Sequence, residues 1–126
     1  MRRRLIMFYN IDVTHMALDA SLMRYNQLTT NVANIDTVGY KRSDVAFQSF
    51  LAQEIAYNGV NNINFANIEP IVYQDKANVR LRFDESNIDI DVEMAELSKE
   101  KTRYDTLIQR AQSQIGRYTY IFQNIQ

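Results

Sequence analysis

The 126-residue chain contains a single histidine, His15, and no cysteine, so its stock of reactive side chains is small. Thiolate metal sites, cysteine nucleophiles and disulfide scaffolds are excluded outright. A catalytic dyad or a zinc site needs partners at set spacing around a histidine, and His15 has none in the sequence. It reads as a surface residue near a helix start. The run Asn87-Ile-Asp-Ile-Asp-Val-Glu93 places acids at alternate positions. Held extended, it would line three carboxylates along one face and suit Ca²⁺ or Mg²⁺. It lacks the glycine and the loop length of an EF-hand, and helix capping with dipole complement accounts for the same acids. Arg80, Arg82 and Phe83 form a short basic-aromatic stretch of the kind that stacks bases. An amphipathic strand explains it more economically. No phosphate-cradling glycine loop, Gly-x-Ser-x-Gly elbow or metal-spaced histidine pair occurs. These residues point away from an enzyme, and neither cofactor nor metal is expected.

The elements that would position any site are clearer than the sites. Fourteen basic and fifteen acidic residues leave a formal net charge of −1, unlike the basic excess of a nucleic-acid binder. The start, MRRRLIMFYNID, has too short an apolar run for a cleaved signal or a membrane span. Arg2, Arg3 and Arg4 read as a frayed, solvated terminus, and Met1 and Met7 are both candidate starts.

The chain is expected to be one mainly α domain of three parts. Residues 12–36 form an N-terminal helix, with Leu18, Leu22, Tyr25, Leu28, Val32 and Ile35 spaced three or four apart on one stripe. Residues 91–126 form a C-terminal helix. Its seam is Met94, Leu97, Lys101, Tyr104, Ile108, Ala111, Ile115, Tyr118, Phe122 and Ile125, a sustained alternation of three and four. Gly116 weakens this helix without ending it. Asp89 or Asp91 is its expected N-cap. Between the two helices, residues 37–90 read as an irregular middle. Ser43 would cap a short helix running to Tyr57, the asparagines from Asn58 to Asn67 mark a loop, and Ile71–Tyr73 could pair with Val79–Phe83 as a small hairpin.

Antiparallel pairing of the terminal helices as a coiled coil is the simplest way to bury both stripes. The predicted lengths, about 37 Å and about 54 Å, do not match. Tyr118, Phe122 and Ile125 are then left without an intramolecular partner, which predicts contact with other chains.

The stretch NVANIDTVGYK, residues 31–41, closes the first helix in an unusual way. Asn31 and Asn34 carry short amides able to bond across a close contact, Thr37 favours a break, and Gly39 permits a sharp turn. Asn31, Ala33, Asn34, Thr37, Gly39 and Tyr40 together resemble the Asn-hydrophobic-Ala-Asn-x-x-Thr-x-Gly-Tyr signature of the bacterial flagellar rod and hook proteins. KRSDVAFQSFL, and NIDIDVEMAELSKEKTRYDTLIQ near the C-terminus, resemble the corresponding segments of the short proximal-rod branch of that family. Val38 departs from the family pattern, which often has proline there.

The resemblance implies a non-enzymatic subunit of the basal-body rod. Such a subunit would be exported through the flagellar type III apparatus without a cleaved signal and assembled helically to transmit torque in the cell envelope. Implied partners are further copies of itself, the sister rod protein FlgC and distal rod proteins, the basal adaptor FliE, and the export gate. Neither nucleic acid nor membrane insertion is expected. The alternative reading is a cytoplasmic helical adaptor or export chaperone.

Overall fold

The computed structural model describes residues 6–75 and 88–125. The proposed strand Val79–Phe83, its Arg80 and Arg82, and Arg2–Arg4 lie outside the described residues.

Two long helices dominate. Helix α1 spans Ile6–Ala33 and helix α3 spans Ile90–Gln123, and they pack antiparallel. Contacts such as Asn10 with Gln114 and Asn31 with Glu93 fix their register from end to end. Helix α1 starts six residues earlier than Asp12, because residues 6–11 continue without a breaker. The overhang of α3 is correspondingly shorter than the predicted lengths imply. At that end Phe8 packs against Tyr118, with ring centroids 5.8 Å apart, so Tyr118 is half-buried instead of exposed. Asp89 is the N-cap of α3, its carboxylate accepting from the Asp91 and Val92 N–H groups at 3.0 and 3.3 Å. Asp91 and Glu93 follow in the first turn, where acids complement the helix dipole.

Residues 37–75 are more ordered than their sequence suggests. Strand β1, Ser43–Ala46, pairs antiparallel with strand β2, Ile71–Gln74, in the register Ser43↔Gln74 to Ala46↔Ile71. Ser43 therefore opens a strand and does not cap a helix. Helix α2 begins later, at Gln48, and ends at Asn58. The described partner of β2 is β1, reached across residues 47–70. A 3₁₀ turn, Phe65–Ile68, lies between, capped by the Asn64 side chain accepting from Ala66 N.

The Asn-rich loop is organised by one acid. Glu54 on α2 accepts from Asn58 Nδ2 (2.6 Å), Asn64 N (2.8 Å) and Asn67 Nδ2 (2.9 Å). Tyr9 Oη accepts from Ile63 N at 2.6 Å and ties the loop to α1. The apolar core forms there, from Ala20, Phe47, Ile63 and Ile68, with Val13, Met16, Phe50, Leu51 and Phe65 packed on it. Helix α1 is thus covered on one flank by α2, the loop and β1, and on the next by α3.

Candidate assembly surface and signature motif

The α1–α3 contact is largely polar along the first half of α3. Its buried residues are Glu93, Glu100 and Gln114, with Leu107 completing a row seven apart. Two arginines satisfy the acids. Arg24 on α1 donates from Nε and Nη2 to both Asp44 oxygens (2.8 and 3.2 Å), from Nη1 to Glu100 (2.8 Å) and from Nη2 to Glu96 (2.9 Å). Arg42, just before β1, donates to Glu93 (2.5 Å), Asp75 (2.9 Å) and Asp44 (3.4 Å). Ser21 and Arg103 complete the Glu100 shell at 2.6 and 2.8 Å.

Bonding to Asp44 holds the Arg24 guanidinium further above its usual proton affinity. Burial works against the Asp44 charge, but the Arg24 bond and the Val45 N–H outweigh it, and the carboxyl sits below its ordinary range. The Arg24 bond likewise draws Glu96 down. The network ties α1, β1 and α3 into one body. From sequence, Glu93, Glu96 and Glu100, with Asp91 early in the helix, complement its dipole, and Arg24, Arg42, Asp44 and Arg103 carry no evident role. The available signal is Arg24 beside the apolar stripe of α1, with acids at Glu93, Glu96 and Glu100 spaced three, four and seven apart.

The signature stretch closes α1 as a built joint. Asn31 is fully buried. Its Nδ2 donates to Ser43 O (2.8 Å) and Glu93 (3.2 Å), and its Oδ1 accepts from Ser43 N (3.1 Å) and Tyr40 Oη (3.3 Å). One side-chain amide therefore pairs with the Ser43 backbone as a neighbouring strand would, and also meets α3. Asn34 donates to Thr30 O at 2.8 Å and accepts from Thr37 Oγ1 at 3.3 Å, unwinding the last turn locally. Tyr40 N then donates to Thr37 O at 3.2 Å, with Gly39 at φ 73°. A four-residue turn with positive φ at its third position is type II, and its second position, here Val38, is where proline is favoured. Ala33 is exposed and takes no part in the joint.

The apolar stripes divide by position. Leu28 is fully buried, whereas Leu18, Tyr25, Val32 and Ile35 are half-buried and Leu22 is exposed. On α3, Leu97, Tyr104, Ile108, Ala111 and Tyr118 are half-buried, while Met94, Lys101, Ile115, Phe122 and Ile125 are exposed. Ile115, Phe122 and Ile125 are 56%, 58% and 71% exposed. The polar row of α3 lies one residue earlier in the heptad than Met94, Lys101, Ile108 and Ile115. With about 3.6 residues per turn, the outer rows of the two helices fall on a common flank, opposite the one covered by α2 and β1.

Among the described residues, no chemical site competes with this surface. His15 is exposed, 3.7 Å from Asp19. The acids after Asn87 are dispersed: Asp89 caps α3, Glu93 is buried against Arg42, and the helix turns Asp91 away from both. No group of metal-ligating side chains occurs among the described residues.

No family model matches the chain. Curated proteins similar to it include the flagellar basal body rod protein FlgB of Borrelia hermsii, 28% identical over 111 residues, covering 75% of this chain and 82% of that protein. The Bacillus subtilis FlgB is 29% identical over 100 residues, covering 75% and 78%. The Borreliella burgdorferi FlgB is 25% identical over 111 residues, covering 75% and 82%. The chain is a relative of the FlgB rod proteins. The likeness to FlgB is spread over three-quarters of the chain, well beyond the signature joint. FlgB proteins are named for a structural role in the rod and not for a reaction, which fits a site made of packing surfaces.

Proposed function

We propose that this chain is a structural, non-enzymatic subunit of the bacterial flagellar basal-body rod, in its proximal part. Its whole length acts as one rod domain in which the two terminal helices form the assembly seam. Subunits leave the cell body through the flagellar type III export apparatus without a cleaved signal and assemble helically, so that interlocked helices transmit torque. The partners are further copies, FlgC and the distal rod proteins, and FliE beside the export gate. No described helix is long and apolar enough to cross a membrane, so insertion is not part of this reading.

One observation carries the proposal beyond the FlgB likeness. The helix pair fills much of its internal contact with ion pairs and leaves Leu22, Met94, Ile115, Phe122 and Ile125 in water. Burying each such side chain is worth about 1.5–3 kcal/mol, which association would recover. The test is the double substitution Ile115→Asp/Phe122→Asp, introduced in the flagellated host. Both side chains are already exposed, so circular dichroism of the purified variant should match the parent. Swimming and rod assembly should be lost. Normal swimming by cells carrying only this variant would rule the seam out.

A further inference from the structure

A cleft of about 820 Å³ opens between α1, the start of α2 and α3. Its apolar wall includes Val45, Phe47, Leu51 and Leu107, and Arg24 and Glu100 lie beside it. Six charged residues line it: Arg24, Lys99 and Arg103 against Asp44, Glu96 and Glu100. They cancel in number and are paired with one another, Lys99 with Glu96 at 3.6 Å being the loosest. The cleft therefore carries no net charge to attract an ionic ligand. It suits a neutral, apolar or aromatic guest.

The end of α3 has that chemistry and, past Tyr118, is largely exposed among the described residues. Residues 118–125, Tyr-Thr-Tyr-Ile-Phe-Gln-Asn-Ile, contain no charged side chain. Tyr120, Ile121, Phe122 and Ile125 are all substantially exposed. The segment cannot enter the cleft of its own molecule. Helix α3 runs unbroken from Ile90 to Gln123, and Phe122 lies fifteen residues beyond the cleft-lining Leu107, a separation of about 22 Å along a rigid helix.

We propose that the cleft between α1, α2 and α3 receives the C-terminal end of α3 from a second copy of this chain. The contact is heterologous: tail on one subunit, cleft on the next. Repeated contacts of that kind close into rings or run on as open helical filaments. The proposal rests on the self-assembly reading above and gives one of its contacts a direction.

The absence of native cysteine makes the test direct. Phe122→Cys protein is mixed with an equal amount of Ser49→Cys protein, Ser49 being an exposed residue on the cleft lining, and oxidised with copper phenanthroline. A parallel mixture uses Val38→Cys, also exposed but on the signature turn away from the cleft. A disulfide-linked heterodimer should form with Ser49→Cys and stay at background with Val38→Cys. Adding Leu51→Glu to the Ser49→Cys partner should abolish it. Equal cross-linking at both sites, or none at Ser49 in protein that light scattering shows to be associated, overturns the proposal while leaving the rod reading intact. A cleft reserved for a different axial protein would also leave Ser49→Cys unlinked to Phe122→Cys, and overturns it equally. Loss of swimming in an Ile115→Asp host, whose substitution lies outside the tail segment, bears on the rod reading alone.

Discussion

At the scale of single residues, Asn31 acts as a strand edge and as a helix contact at once. Its amide spends both donors and its oxygen inside the protein, on Ser43, Glu93 and Tyr40. A buried polar group stripped of its partner costs about 1–3 kcal/mol. Asn31→Ala strands the Ser43 backbone and one Glu93 bond together, so a loss of about 2–4 kcal/mol in urea unfolding is expected. Asn31→Asp keeps the shape but sets a second carboxylate 3.2 Å from Glu93 and removes the donor to Ser43 O. It should destabilise at least as much as alanine. An Asn31→Asp protein as stable as the parent would show that the joint is not held by this amide. The role is partly legible in the sequence, because an asparagine before a Thr-x-Gly-Tyr turn has few reasons to be buried other than bonding. Its chosen partner, the backbone of Ser43, is not legible there. Ser43 has the residue type of a helix cap, and only the pairing of β1 with β2 decides that it is extended.

At the scale of elements, the ion network decides how α3 is held. The carboxyls of Asp44 and Glu96 sit below their ordinary values of 3.8 and 4.5. A carboxyl whose folded pKa is lowered stabilises fully above its unfolded value and loses that contribution as pH falls through the folded one. Unfolding free energy should therefore be level from neutral pH down to about 4.5 and decline below it, faster in Arg24-containing protein than in Arg24→Met. Titrating the urea midpoint between pH 7 and pH 2.5 checks this, and a midpoint that rises on acidification would contradict it. Glu54 adds to the same decline, since Asn67, Asn64 and Asn58 hold its carboxyl low. The long helices are readable from their three-and-four spacing, as is the Asp89 cap. The inward-facing row of α3 is not, because Glu93, Glu100 and Gln114 have the types of a solvated face. A heptad read from apolar residues finds the rows at and beyond the edge of the contact, and it misses an interior filled by charges with matched partners.

At the scale of the whole molecule, the fold leaves its last turn and a half unsupported by described residues. Removing the chain from residue 119 onward takes away Tyr120, Ile121, Phe122 and Ile125, which are substantially exposed. The unfolding free energy of the monomer should change by less than about 1 kcal/mol, while self-association in light scattering should disappear. A truncated chain that still associates would place the contact elsewhere on the helix pair.

The closing joint of α1 bears on mechanics as well as on stability. A shaft built of helices is only as stiff as the elbows between its segments. In this chain the elbow after the first helix is pinned at two points to a strand and at a third to the opposite helix. In the rod role proposed above, these three bonds would carry the strand along when the helix is twisted.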